Sequence, residues 1–319
     1  MTSPLRCVDL FAGTGAFSHV FEKHGIQCVF ANDMEKSSES IYNINNPENR
    51  EIFVLKNLND IHTDDIPQHD ILCGGFPCQP FSIAGEQKGF DDTRANVFWK
   101  ILAILKAHQP RIILLENVKN LVLHDEKKTF KIICEQLESV GYHLKYRVID
   151  TCKVSNIPQH RERIYIIGFL DETLCDTFSF DFDEPDTLPV NALLEEDIPD
   201  KYYYTSKLKV FDTVNEKVKK HINTNTLYQY RRCYVRENKS NCCPTLTANM
   251  GVGGHNVPLL RDDRGVRKLT PRECFNLQGF PIDYTLPQLS NAALYKLAGN
   301  AVSIPVVECI VQRLISITS

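Results

Sequence analysis

The residues best suited to chemistry lie in Gly74-Gly-Phe-Pro-Cys-Gln-Pro-Phe-Ser82. Proline fixes its own φ and holds the residue before it extended, so Pro77 and Pro80 stiffen the presentation of the Cys78 thiol between them. The apolar run Asp70-Ile-Leu-Cys73 leads in and reads as a β-strand. A cysteine beside glycines at a strand's end is placed as a nucleophile is placed. The competing reading is a small buried hydrophobe, the common state of a free cysteine.

Other groups of chemical interest recur at the ends of strand-like runs. Leu5-Arg-Cys-Val-Asp-Leu-Phe-Ala-Gly-Thr-Gly-Ala-Phe17 reads as a strand, a glycine loop and the start of a helix. That order opens a nucleotide-cradling, doubly wound α/β fold, and Gly13 and Gly15 let backbone approach a ligand closely. The loop lacks the full G-x-G-x-x-G pattern, so a tight turn without a ligand is the alternative. A second run, Gln27 to Asn32, ends at Asp33, about 20 residues beyond the glycines, where such folds bind ribose hydroxyls. A solvated loop carboxylate is the rival reading there, and Glu35 a rival acid. Ile52 to Leu55 leads to Asn57, and Arg111-Ile-Ile-Leu-Leu ends in Glu116-Asn117-Val118.

These groups need elements to position them. Thr93 to His108 and Lys127 to Val140 carry helical spacing, the second closed by Gly141. Two more β runs cover Tyr146–Asp150 and Arg163–Gly168. Strands alternating with helices predict an α/β, doubly wound, mostly parallel sheet covered on both faces. Ligands of such sheets bind at the strands' carboxyl ends, where Gly13, Asp33, Cys78 and Glu116 all fall. Residues 171–200 are acidic and punctuated by proline, and read as a linker or irregular surface. Residues 201–266 mix aromatic and basic side chains (Tyr228, Tyr230, Arg231, Arg232, Tyr234, Arg236, Lys239) with the glycine loop 250–256. That mixture suits a nucleic-acid surface or, equally, a solvated face. Thr270-Pro-Arg-Glu273 has the form of a capped helix start, and an apolar helix is expected from Ile304 to Ile315.

Composition narrows the class. The chain has 319 residues and a net charge of −4, enough for a large domain and a smaller one and against a generally basic surface. A local basic cleft would still admit nucleic acid. The twelve cysteines show no Cys-x-x-Cys pairing that suggests zinc, and with no signal-peptide pattern they point to a reducing compartment. No apolar run is expected to span a bilayer.

Taken together, the motifs resemble those of the DNA (cytosine carbon-5) methyltransferases, specifically the bacterial enzymes of restriction–modification systems. The likeness covers nearly the whole chain, in the family's order. Asp9-Leu-Phe-Ala-Gly-Thr-Gly-Ala-Phe17 resembles the S-adenosyl-L-methionine loop, and Gly75-Phe-Pro-Cys-Gln-Pro-Phe-Ser82 the nucleophile loop. Glu116-Asn-Val118 and Gln159-His-Arg-Glu-Arg163 are similar to the Glu-Asn-Val and Gln-x-Arg-x-Arg motifs. Arg267 to Cys274 and Gln278-Gly-Phe-Pro281 resemble the segment that supports the recognition domain. Gly299-Asn-Ala-Val302 resembles the final cofactor-contacting motif.

The resemblance implies a Rossmann-like catalytic domain over 1–180 plus 286–319. A smaller, irregular target-recognition domain with its hinge would cover 181–285. It implies Cys78, Glu116, Asn117, Arg161 and Arg163 as catalytic. Phe11, Ala12, Gly13, Thr14, Gly15, Asp33, Met34, Asn57, Leu58, Gly75, Pro77, Asn300 and Ala301 would hold S-adenosyl-L-methionine, with no metal. Ser82, Gln87, Lys88, Arg94, Arg231, Arg232, Arg236, Thr247, Gly253 and Gly254 would face double-stranded DNA. Two positions depart from the pattern. Asn57 stands where an acid often accepts from the adenine amino group; its side-chain oxygen still accepts, so retuned cofactor binding is expected. Met34 stands where many members have an aromatic residue, and a thioether also packs on a ring face.

By resemblance, Cys78 adds to carbon 6 of a flipped-out cytosine, assisted by the charge of Arg163, while Glu116 hydrogen-bonds ring nitrogen 3. The segment from Phe81 to Arg94 would close over the site. The chain would act as a monomer in the bacterial cytoplasm, away from membranes. A cognate restriction endonuclease would read the same site without touching it. The alternatives are an RNA (tRNA) cytosine-5 methyltransferase and a non-catalytic DNA-binding regulator.

Overall fold

The structure, a computed structural model, describes residues 4–77, 97–207, 211–218, 223–231, 234–252 and 257–318. Cys78, Ser82, Gln87, Lys88, Arg94, Arg232, Gly253, Gly254 and the side chain of Arg231 lie outside the described residues. The chain divides into two compact units. The first comprises Met1–Ile149, Glu162–Phe182 and Val307–Ser319; the second comprises Asp150–Arg161 and Asp183–Val306. Segments 150–161 and 286–306, which motif order assigns to the catalytic domain, thus fall with the second unit.

The first unit is built on a seven-stranded sheet of order β3-β2-β1-β4-β5-β7-β6. Its strands are β1 (Arg6–Leu10), β2 (Gln27–Asp33), β3 (Phe53–Leu55), β4 (Ile71–Gly75), β5 (Ile112–Val118), β6 (His143–Asp150) and β7 (Glu162–Phe169). β1 pairs in parallel with both β2 and β4, and β4 with β5. β7 runs antiparallel to β5. The central strands read as unbroken apolar runs, such as Ile113-Leu114-Leu115, because helices cover both faces and neither meets water.

Helices of this unit include α1 (Ala16–Lys23), α2 (Lys36–Asn45), α3 (Val97–His108), α4 (Lys128–Ser139) and α6 (Glu172–Thr177). α3 buries Phe98, Ile101, Leu102 and Leu105, and α4 buries Phe130, Ile133 and Leu137, in the same core as Val8, Leu72 and Ile113. That i, i+3, i+4, i+7 spacing is the stripe a sheet-covering helix needs. α4 stops where Gly141 takes φ 98° and donates to the Glu138 carbonyl.

The second unit holds the short helices α5 (Thr151–Val154), α7 (Phe211–Lys217) and α8 (Pro271–Asn276), with the longer α9 (Asn291–Asn300). Its sheet, of order β11-β10-β8-β9, is antiparallel. The strands are β8 (Asn223–Arg231), β9 (Tyr234–Glu237), β10 (Leu259–Arg261) and β11 (Val266–Lys268). Tyr228 and Tyr230, two apart on β8, point into a small core with Val214, Leu259 and Val266. These aromatics are core and not a stacking surface; Tyr234 is the exposed one. α8 carries the expected capping box, Thr270 and Glu273 each accepting from the other's backbone N–H.

Residues 291–318 have the length and apolar content to cross a membrane, which qualifies the sequence-based expectation that no stretch does. They form two helices, α9 and α10 (Ile304–Thr318), broken at 301–303. Each buries its apolar face in the protein: Leu294, Tyr295 and Leu297 on α9, Val307, Ile310, Val311 and Leu314 on α10.

Candidate active site

The carboxyl end of β1 is built for close backbone approach. Phe11, Gly13 and Gly15 all take positive φ, at 56°, 53° and 69°. At Gly15 the space is also closed, since a Cβ there would come within 2.9 Å of the Tyr42 ring. The turn is tied to β2: the Ala12 N–H donates to the Asn32 carbonyl (2.8 Å) and the Gly13 N–H to Asp33 Oδ2 (3.0 Å). Asp33 Oδ1 accepts from the Glu35 N–H at 2.9 Å. Burial raises the Asp33 carboxyl pKa, and these N–H donors pull it back toward the charged form.

Two buried polar side chains brace this rim, and sequence reading passed over both. Asp9 lies in mid-strand with no exposure, and its Oδ2 takes the Ser18 backbone N–H (3.2 Å) and Oγ–H (2.7 Å). It therefore brackets the 11–15 turn by joining β1 to the first turn of α1. Burial pushes its pKa up to about 7. Asn32 donates to the carbonyls of Val54 and Lys56, both at 2.8 Å, fixing the exit of β3 beside Asn57. The signal for both was a polar residue inside an apolar strand run.

Asn57 Oδ1 accepts from the Asn59 N–H at 3.0 Å and caps the following 3-10 turn. One lone pair of that oxygen is thus committed locally. Leu58 is buried beneath it, and Met34, 65% exposed, offers an apolar face at the end of β2. Ala12 and Thr14 are buried within the turn, while Gly75 and Pro77 close β4.

The second group of site residues stands where β4, β5 and β7 lie side by side. Gly75 is in register with Glu116, and Val118 with Arg163. Glu116 and Arg163 are diagonal neighbours across the antiparallel pair, which brings Arg163 Nε to 3.1 Å from Glu116 Oε1. Both side chains are nearly buried, at 10% and 13% exposure, so the pair is poorly screened by solvent. Arg163 Nη1 also donates to the Glu162 carbonyl at 2.8 Å. Asn117 donates from Nδ2 to the Phe76 carbonyl at 2.9 Å and accepts the Val118 N–H at 2.8 Å. It thereby pins the chain two residues before Cys78.

Arg161, expected to be catalytic, is the last residue of the second unit's segment Asp150–Arg161. It is 2% exposed, and its terminal nitrogens donate to the carbonyls of Leu246 (3.0 Å), Gly299 (3.3 Å) and Ala301 (2.6 Å). Its guanidinium ties three segments together. Gln159 works alongside it, donating to the Leu277 carbonyl at 2.6 Å and accepting from the Leu246 N–H at 3.3 Å. Gly299 lies so close to Thr247 that an added Cβ would stand 2.2 Å from the Thr247 carbonyl carbon. Asn300 is exposed at the end of α9 and Ala301 is buried; Thr247 and Arg236 are exposed.

A turn at the first strand with left-handed glycines, an acid at the second and a carboxylate–guanidinium pair at the fifth form one constellation on the first unit's sheet. Over residues 5–316 the chain matches the family described as C-5 cytosine-specific DNA methylase. The chain belongs to this family. Its activity is that of a DNA (cytosine-5-)-methyltransferase, methylation of DNA cytosine at carbon 5. The methyltransferase is 45% identical over 315 residues to the Type II methyltransferase M.Bsp6I of Bacillus sp. (strain RFL6), covering 97% of this chain and 98% of that one. It is 38% identical to the Type II methyltransferase M.HaeII of Haemophilus aegyptius, with 98% and 93% covered. Among solved structures it is similar to the S. pombe Dnmt2 methyltransferase, with a TM-score of 0.72 at 20% identity and 98% of each chain covered. That likeness is one of fold. Membership of a methyltransferase family implies use of S-adenosyl-L-methionine. The rim fits it: left-handed backbone at Gly13 for close approach, a carboxylate for ribose hydroxyls and an exposed thioether for a ring.

Proposed function

We propose that the methyltransferase modifies a cytosine flipped out of a specific duplex DNA sequence, with Cys78 adding covalently to carbon 6. The observation that carries this reading is the Glu116–Arg163 pair beside the Asn117–Phe76 tie at the base of the Cys78 segment. Cytosine carbon 5 is a poor nucleophile. Addition of the Cys78 thiolate to carbon 6 moves the ring's electron pair to carbon 5. Glu116 holds a proton against ring nitrogen 3 and relieves the charge that builds there. Arg163 fixes the Glu116 carboxyl and adds positive charge to the site. S-adenosyl-L-methionine, when bound, supplies an electrophilic methyl group that carbon 5 attacks. Loss of the carbon 5 proton and expulsion of the thiolate then restore the aromatic ring.

Phe11, Ala12, Gly13, Thr14, Gly15, Asp33, Met34, Asn57, Leu58, Gly75 and Pro77 serve as the first unit's cofactor rim; the family resemblance adds Asn300 and Ala301 to the cofactor-binding residues. Arg161 acts as a positioning residue for Ala301 and for the segment entering Thr247. A stacked base cannot reach a thiol, so flipping it out costs a few kcal/mol, repaid in part by contacts from Ser82, Gln87, Lys88 and Arg94. The second unit's strands and loops read the sequence. The exposure of Arg236 and Thr247 supports a contact role for them, shared with Arg231, Arg232, Gly253 and Gly254. The bacterial Type II relatives support a role in protecting host DNA within a restriction–modification system. The enzyme would work as a monomer in the cytoplasm, beside an endonuclease of the same specificity.

Methyl transfer assayed in parallel on duplex DNA and tRNA tests this reading. Wild type is expected to label duplex DNA, and Cys78→Ala to label neither. Labelling of tRNA alone, or undiminished labelling by Cys78→Ala, would overturn it.

A further inference from the structure

Within the second unit, a cluster that the methylation chemistry does not use brings together two thiols and an imidazole. The ligand atoms of Cys152, His160 and Cys242 all lie within 4.8 Å of one another. Cys152 Sγ is 3.1 Å from His160 Nδ1, and Asp150 Oδ2 is 2.9 Å from the same nitrogen. The other Asp150 oxygen accepts the Arg161 backbone N–H at 2.8 Å, which fixes the carboxylate's orientation.

The frame under the cluster is backbone. Cys152 N–H donates to the Gln159 carbonyl (3.2 Å), His160 N–H to that of Cys243 (2.8 Å), and Cys243 N–H to that of Pro158 (2.6 Å). Cys152 and His160 are therefore held by their own main-chain pairing, and Cys242 by that of its neighbour Cys243. Both cysteines are 8% exposed, whereas the imidazole is 41% exposed, which leaves a path for an ion to enter.

We propose that Cys152, His160 and Cys242 form a Zn²⁺ site, with solvent at the fourth position. Two thiolates and an imidazole are donors zinc takes in tetrahedral geometry. Zn–S and Zn–N bonds of about 2.3 and 2.0–2.1 Å put tetrahedral ligand atoms roughly 3.5–3.8 Å apart. Cys152 Sγ and His160 Nδ1, at 3.1 Å, would part by about half an ångström to take the ion. Each ion bound replaces two S–H bonds with two S–Zn bonds and releases two protons to solvent.

The site is tied by hydrogen bonds to the stretch that leads into Thr247. The His160 carbonyl accepts from Thr245 Oγ1 at 2.7 Å, and Arg161 holds the Leu246 carbonyl. A zinc ion would clamp residues 150–161 to residues 242–246 and slow amide exchange there. No local spacing signals it, because the ligands are drawn from positions 152, 160 and 242.

Cobalt titration of the reduced, chelator-stripped full-length protein tests the proposal, in a Cys78→Ser background that removes the nucleophile's thiol. The expected result is one Co²⁺ per chain with the sulfur-to-cobalt charge-transfer band and intense visible bands of a tetrahedral thiolate site, displaced by Zn²⁺. Cys242→Ser and His160→Gln should each weaken Co²⁺ binding at least about tenfold. Cys134→Ser, a half-exposed thiol on α4, should leave it unchanged. His160→Gln changes a partly exposed side chain and guards against misfolding as the cause. No tetrahedral spectrum, or one indifferent to both ligand substitutions, would overturn the site. So would a Cys152–Cys242 disulfide in the isolated protein with no cobalt uptake after reduction.

Discussion

The rim of the parallel sheet and the junction around Arg161 both place polar groups, by opposite means. In the first unit, strand ends and register do the placing: Gly13 follows β1, Asp33 ends β2, and Glu116 faces Gly75 across β4 and β5. The side chains there need only short local ties. In the second unit three of the four described strands have only three or four residues, and buried long side chains take over. Arg161 collects carbonyls from residues 246, 299 and 301, and Arg267, also buried, pairs with Asp262 and with both oxygens of Glu273. Regular pairing satisfies the backbone by itself; where it is short, buried carbonyls must find side-chain donors instead. The first unit is thus tolerant in its scaffold and exacting at a few reacting groups. The second is exacting in its scaffold.

The contrast is open to test. Arg161→Met should do the greatest damage, leaving three buried carbonyls without their donor and costing at least about 3 kcal/mol. Urea melts read the loss, and a midpoint within error of wild type would erase the distinction between the units. Glu116→Gln should instead leave the melt near wild type while cutting methylation about 100-fold or more, the usual worth of a positioned proton. Equal losses of fold and activity there would make the ion pair a structural one.

Asp9 sharpens the comparison, as a scaffold group inside the first unit. Its folded pKa of about 7 lies above the ordinary aspartate value of 3.8. The native state therefore holds a proton that the unfolded chain has released. The resulting stability is complete below about pH 4 and is lost as pH rises through about 7. The melting curves of wild type should fall by about 1 kcal/mol per pH unit between pH 5 and 7. Asp9→Asn should flatten that slope. Asp33→Ala should have the smallest effect, weakening S-adenosyl-L-methionine binding about tenfold, or about 1.4 kcal/mol, by calorimetry, with the fold kept.

The same contrast explains what could be read in the sequence. Motifs at strand ends were legible because each is local: a glycine loop after β1, an acid ending β2, Glu-Asn-Val ending β5. The alternation of strands and helices carried the sheet. The small sheet was not legible, since three of its strands are short and their partners distant; Leu259 pairs with Tyr228 across a segment with no periodic pattern. Tyr228 and Tyr230 therefore looked like a surface when they are core. Arg161 carried a motif but not its geometry, because its acceptors are backbone carbonyls that any sequence supplies. Asp9 was hidden by its position at the head of the glycine-loop motif, where a carboxylate in an apolar strand signals a buried tie.

Covalent capture on duplex DNA containing 5-fluorocytosine at the target position tests the central claim most directly. Fluorine at carbon 5 blocks the proton loss that frees the enzyme, so methyl transfer should leave the thiolate bonded to carbon 6. With S-adenosyl-L-methionine, wild type should form a denaturant-resistant complex whose cross-linked peptide contains Cys78, and Cys78→Ala should form none. A wild type that never traps on DNA it methylates, or a complex that survives Cys78→Ala, would contradict the account.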